Sequence, residues 1–194
     1  MGTAEAPAQW LRTNLGFARD RGDGFFDYLC PAHWGQTERV APAALVGEAL
    51  WIASEGVLYR GDGRGCGFVA EPLPGWTGGA VSAIAPWSLG ALVVSTEAGG
   101  SALWSVPNPL AAPTGPVALA GTVDSLRVDG ETPWLVGARP APWIQRGLDG
   151  VAQPLQLPEA VEFLTLRWVD GERLFMAAST ATGPVLLEST DGGA

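Results

Sequence analysis

The sequence predicts an all-β fold: a partial β-propeller of about three and a half four-stranded antiparallel blades behind an irregular N-terminal blade. Three observations carry this. Turn-like segments recur at Gly61, Ser105, Gly147 and Ser189, at intervals of 44, 42 and 42 residues. Apolar runs of strand length keep a constant phase to those turns. Glycine (27) and proline (16) are spread among tryptophan, leucine and valine, as in many short strands joined by tight turns.

The elements follow in order. Upstream of each turn lies an apolar strand: Leu50 to Ser54, Ala91 to Ser95, Pro133 to Ala138 and Arg173 to Ser179. Downstream of the first three turns comes a looser strand, Phe68 to Pro72, Val117 to Ala120 and Val151 to Leu157. A longer strand follows: Val81 to Trp87, Val123 to Val128 and Val161 to Val169. Two of these end in Asp129-Gly130 and Asp170-Gly171, a pair that favours the hairpin turn between antiparallel strands. The blades are therefore expected at about 47–89, 90–130, 131–171 and, incomplete, 172–194. Residues 1–46 fit less well. Leu15 to Arg19, the Gly22-Asp23-Gly24 turn and Phe25 to Cys30 read as two strands of an irregular blade or ring-closure segment. No segment keeps a 3.6-residue apolar period through three turns without a breaker, so almost no helix is expected.

Composition bounds the function classes. The chain carries 11 basic and 20 acidic residues, a net charge of −9, and every basic residue is arginine. An acidic surface repels phosphate backbones and anionic lipid, so neither nucleic acid nor membrane is an expected partner. No apolar run is long enough to span a bilayer, and the first residues lack the apolar core of a signal peptide. Cys30 and Cys66 are compatible with one disulfide in an exported protein, or with two buried thiols.

Chemistry-bearing motifs are sparse. His33 is the only histidine, and Cys30-Pro31-Ala32-His33 with Cys66 falls one ligand short of a structural zinc site. No Gly-x-Ser-x-Gly elbow, phosphate-binding lysine loop or calcium loop is present. Arg21-Gly22-Asp23 spells an adhesive tripeptide, but it reads more simply as part of a turn. No catalytic residue, metal or cofactor is assigned. Trp51, Trp104 and Trp134 fall inside apolar strands and are expected to pack blades. Trp76, Trp87 and Trp168 lie at strand ends or loops, where an exposed indole could stack on sugar or anchor a protein.

The repeated turns resemble the Asp-box of the bacterial-neuraminidase-repeat propellers, in the sialidase and sortilin-like group: Ser/Thr, any, Asp, any, Gly, any, any, Trp. Ser189, Asp191 and Gly193 match in register, and Ala194 stands before the tryptophan place. The first turn is degenerate, with Gly61 in the serine place, then Asp62, Gly65 and Cys66, and Phe68 in the tryptophan place. The third keeps Asp149 and Gly150 after Arg146, and at the second only Ser105 survives. The resemblance implies peripheral, structural turns in which carboxylate and hydroxyl accept backbone N–H bonds.

It also implies a choice of functions. A sialidase would need an arginine cluster and a Tyr/Glu pair; only Tyr28 and Tyr59 exist, and Tyr59 sits beside a peripheral turn. The leading expectation is a secreted or periplasmic, non-catalytic module that binds protein or glycan. The alternatives are the N-terminal half of a propeller glycosidase or lyase-like enzyme whose catalytic groups lie elsewhere, and an assembly or stability factor. A lone blade leaves sheet faces open. The interrupted motif thus suggests that further blades continue past Ala194, rather than that a second copy completes the ring. If the chain is exported, its intact mass under non-reducing conditions should fall short of the reduced mass by two hydrogens. Two free thiols at Cys30 and Cys66 would remove the main ground for that location.

Overall fold

Most strand-forming runs end at or close to a glycine, proline or Asp-Gly turn, and the sheets of the computed structural model follow from that punctuation. The structure describes residues 10–13, 16–21, 23–29, 42–47, 49–54, 57–61, 67–71, 80–88, 90–97, 100–107, 114–157 and 160–193. Among them there is no helix. Five antiparallel sheets follow one another along the chain.

The first sheet holds β1 (Trp10–Thr13), β2 (Gly16–Asp20) and β3 (Phe26–Leu29). The second holds β4 (Ala43–Val46), β5 (Ala49–Ser54), β6 (Val57–Gly61) and β7 (Val69–Glu71). The third holds β8 (Ala80–Trp87), β9 (Gly90–Glu97), β10 (Gly100–Pro107) and β11 (Thr114–Ala118). The fourth holds β12 (Ser125–Asp129), β13 (Thr132–Gly137), β14 (Trp143–Arg146) and β15 (Gln153–Pro154). The fifth holds β16 (Val161–Asp170), β17 (Arg173–Thr180) and β18 (Gly183–Ser189). The opening strands adjoin in succession, β4 by β8, β8 by β12 and β12 by β16, which sets the sheets as blades of a partial propeller.

The blades start one strand earlier than the units expected from sequence. The strands Val81 to Trp87, Val123 to Val128 and Val161 to Val169 open a sheet instead of closing one. The hairpin turn explains the shift: Asp129 pairs with Thr132 and Asp170 with Arg173, so each Asp-Gly ties its strand to the one after it. For the same reason Ala43–Val46, expected within the N-terminal segment, pairs with β5 across Gly47, a glycine with φ +60°.

Alternation along each strand gives every sheet two apolar faces, one toward the preceding sheet and one toward the next. On β5, Leu50 and Ile52 pack with Phe17 and Leu29 of the first sheet. Trp51 and Ala53 point the other way, against Ala91, Val93 and Trp104 of the third. Leu92, Val94 and Leu103 then meet Leu126, Leu135 and Trp143. Trp134, Val136 and Ile144 meet Leu164, Leu166, Leu174 and Met176. Each buried aliphatic side chain at these junctions contributes about 2 kcal/mol, so stacking outweighs the surface ion pairs, at about 0–1 kcal/mol each.

One polar group also spans a junction. A single carboxylate oxygen of Asp124, ahead of β12, accepts the N–H of Ala138 at 3.0 Å and that of Leu164 in the fifth sheet at 3.1 Å. Burial raises its carboxyl above the ordinary 3.8, against the lowering pull of those two amides and of Arg139. The folded chain then holds this proton more tightly than the unfolded chain. The group's contribution to stability is complete below the unfolded value and fades as pH rises through the folded one. Asp124→Ala, which orphans two buried amides, should lower unfolding free energy by roughly 2–3 kcal/mol in urea titrations. Asp124→Asn keeps a carbonyl acceptor, so it should retain most of the stability and lose this carboxyl's share of the pH dependence above the ordinary carboxylate value.

Candidate functional site: the turns and the outer face of the fifth sheet

The turn after β18 is closed by side-chain hydrogen bonds. Ser189 Oγ accepts the N–H of Gly193 at 2.8 Å and donates to Asp191 Oδ1 at 2.7 Å. Asp191 Oδ1 accepts the same Gly193 N–H at 3.2 Å. Gly192 and Gly193 both take positive φ, at +74° and +93°, which excludes most side chains. Gly193 is buried against Ile144 and Leu155 of the fourth sheet, so the turn also seals a blade junction.

The other expected turns diverge from this pattern. After β14 the turn is held by Gln145, whose side-chain amide donates to the carbonyls of Gly147 and Leu148 at 3.2 and 3.3 Å. Asp149 there is exposed, and Gly150 is required because a Cβ would strike the Arg146 carbonyl. Ser105 is in no turn: it lies inside β10, beside a register shift, and pairs with Leu92 and Thr114. Val106 and Pro107 follow it, supplying neither the carboxylate nor the glycine that a turn needs. Gly61 ends β6 with the Phe68 ring so close that a Cβ would come within 2.6 Å of it. The serine place and the aromatic place of that turn therefore touch. Asp62, Gly65, Cys66, Cys30, His33 and Trp76 lie outside the described residues.

Arg21 and Asp23 of the Arg-Gly-Asp tripeptide face each other at 3.4 Å, and Arg21 also reaches Asp27 at 3.7 Å. Asp23 Oδ1 accepts the Phe25 N–H at 3.1 Å, a small turn of its own. Trp87 is half-buried at the junction of the third and fourth sheets, its indole N–H donating to the Glu131 carbonyl at 3.0 Å. The expected packing tryptophans Trp51, Trp104 and Trp134 are buried.

Trp168 is placed differently. It stands on the face of the fifth sheet that points away from the fourth, 47% exposed, opposite Phe175 on β17. The two rings are tilted by 50° with centroids 5.4 Å apart. Arg173 lies over the Phe175 ring at 5.8 Å and bonds Glu188 at 2.8 Å. That bond raises the guanidinium above its ordinary range. Leu186 and Phe163 extend the surface. The arrangement offers aromatic and aliphatic contact area beside a matched charge pair, and no nucleophile–base pair. Among the described residues no three His, Cys, Asp or Glu side chains gather as metal ligands. Sequence reasoning singled out Trp168 but missed Phe175, Leu186 and Asp124, because strand periodicity tells which residues share a face and not what lies across from it.

The divergent turns separate by mutation. Ser189→Ala should cost about 1 kcal/mol in thermal or urea unfolding and speed amide exchange at Gly193. Asp149→Ala should stay within about 0.5 kcal/mol of the parent. Equal losses at the two turns would show that Asp149 bears a load its geometry does not indicate.

The chain matches no family model and no curated protein sequence. Solved structures do resemble it. One is titled "YCF48 bound to D1 peptide", with TM-score 0.62 and 14% identity over 94% of this chain and 64% of that one. Two others are extracellular domains of the BT4673 systems of B. thetaiotaomicron, described as a putative one-component and a putative hybrid two-component system. Their TM-scores are 0.54 and 0.56 at 14% identity; they match 96% and 93% of this chain but only 26% and 24% of their own. The chain thus spans less than two thirds of each of these proteins. At this identity the likeness shows the fold: the chain is an all-β partial propeller.

Proposed function

We propose that the chain is a non-catalytic interaction module of an exported Asp-box propeller, and that it engages a protein partner. The observation that carries this is the outward face of the fifth sheet. Trp168, Phe175 and Leu186 present aromatic and aliphatic surface around the Arg173–Glu188 pair, the composition of a contact centre with a polar rim. The hydrogen-bonded turn at Ser189, Asp191 and Gly193 supports the Asp-box reading. A propeller of similar fold is described with a bound peptide, and two others as extracellular domains, which supports a protein partner and export.

A glycan is the second reading, favoured by the same Trp168 ring beside a charged pair, since sugars stack on indole. Parallel arrays of peptides and oligosaccharides separate the two. Peptide retention should fall at least about tenfold for Trp168→Ala with the melting temperature unchanged. Retention of saccharides alone, or peptide retention indifferent to Trp168, would overturn the protein reading.

A further inference from the structure

Six aspartates in the chain are followed by glycine, and five of these pairs fall within the described residues: Asp23-Gly24, Asp129-Gly130, Asp149-Gly150, Asp170-Gly171 and Asp191-Gly192. Such a pair carries both reactants of an internal condensation. The amide nitrogen of the glycine attacks the carboxyl carbon of the aspartate, and glycine has no side chain to block the approach. A C–N bond forms and a C–O bond breaks; the hydroxyl of the protonated carboxyl leaves as water with the amide hydrogen. Water then opens the cyclic imide at either carbonyl. One opening restores aspartate. The other leaves the main chain running through the side-chain carbonyl, as isoaspartate, with no net change in atoms or electrons.

Four of the five pairs are restrained by bonds that this attack must break. One carboxylate oxygen of Asp129 accepts the N–H of Gly171 at 3.3 Å, which engages the carboxylate of one pair and the nucleophile of another. Asp191 Oδ1 is held by the Ser189 hydroxyl at 2.7 Å and the Gly193 N–H at 3.2 Å, while the Gly192 N–H donates to the Glu172 carbonyl at 2.8 Å. Asp23 uses one carboxylate oxygen for the Phe25 N–H at 3.1 Å and turns the other to Arg21 at 3.4 Å. Asp149 differs. It is exposed, and among the described residues neither its carboxylate nor the Gly150 N–H has a hydrogen-bond or ion-pair partner. The cause is the divergence of this turn. Gln145 closes it by donating to the Gly147 and Leu148 carbonyls, which leaves the aspartate of the repeat unbound.

We propose that Asp149-Gly150 is a modification site, the one among the described pairs at which the folded chain forms the cyclic imide and reopens to isoaspartate. The product is the substrate class of carboxyl methyltransferases that use S-adenosylmethionine. Isomerisation adds a carbon to the main chain just where Gly150 packs so closely on the Arg146 carbonyl that no Cβ fits. That approach cannot survive the added carbon. The change therefore loosens the short pairing of β14 with β15, Trp143 with Pro154 and Ile144 with Gln153.

Prolonged incubation of the folded 194-residue chain at neutral pH in heavy-oxygen water tests this, because each opening of the imide leaves one solvent oxygen at its site. Cleavage after arginine then puts the five pairs on separate fragments, 22–39, 128–146, 147–167, 168–173 and 174–194. Fragment 147–167 should gain label, and accept methyl groups from an isoaspartyl methyltransferase, at least about fivefold faster than any other, the factor by which breaking one hydrogen bond slows the attack. Asp149→Glu, an exposed substitution, should silence that fragment. Asp129→Ala frees the Gly171 amide and should speed labelling of fragment 168–173 by about fivefold. In urea, where these bonds are absent, the ranking should collapse. The proposal is overturned if fragment 147–167 stays unlabelled or is matched by another fragment. A ranking that persists in urea, or an Asp129→Ala variant with no gain at Asp170, overturns it too, since the order would then come from flanking sequence and not from the fold.

Discussion

No sheet in this chain can bury both of its faces by itself, and the structure is the consequence. A strand alternates its side chains with a period of two, so an apolar strand such as Ala49–Ser54 is apolar on both sides. Leu50 and Ile52 need a sheet behind, and Trp51 and Ala53 a sheet in front. Stacking in one direction satisfies each face in turn, and adjoining first strands turn the stack about a common axis. Stability in such a stack is a sum of neighbour contacts, with no single central core. The four separate hydrophobic clusters, each confined to one junction, are that sum made visible.

The polar groups are arranged around this constraint. Asp124 ties the fourth sheet to the fifth through two amides. The Trp87 indole reaches the Glu131 carbonyl, and Gly171 N–H reaches Asp129 at 3.3 Å, so successive hairpin tips are linked from blade to blade. Arg146 stacks on Trp134 at 5.1 Å while facing Glu172 of the fifth sheet at 3.9 Å. Each link is modest at an exposed position. Their common effect is to fix how far one blade rotates against the next, which nondirectional apolar packing leaves loose.

The strands and their spacing were legible in the residues because both are local properties. Gly and Asp-Gly mark turns through φ preferences, and apolar runs between them have no room to be helices. The grouping of strands into blades was not equally legible. A repeat of about 42 residues has no origin of its own, and the boundaries expected at 47, 90, 131 and 172 fall inside hairpins. The pairing of Asp129 with Thr132 shows that the origin belongs one strand earlier. Ser105 misled for a related reason: it keeps the interval, but Val106 and Pro107 carry the strand onward. At the third turn the interval held while the chemistry changed, Gln145 taking over the work expected of Asp149.

The tryptophans mark where local reading stops. Trp134 and Trp168 both stand on strands, on the faces their sheets turn toward the next position in the stack. Trp134 is buried because Leu164, Leu166 and Leu174 lie across from it; Trp168 is exposed because no described sheet lies across from it. Nothing in the residues flanking either one encodes that difference. Two indoles on the same side of their sheets are told apart by what lies across from them. In a stack of like sheets the burial of a face is decided by the sheet across from it, so the residues of one strand do not by themselves say whether that face is covered.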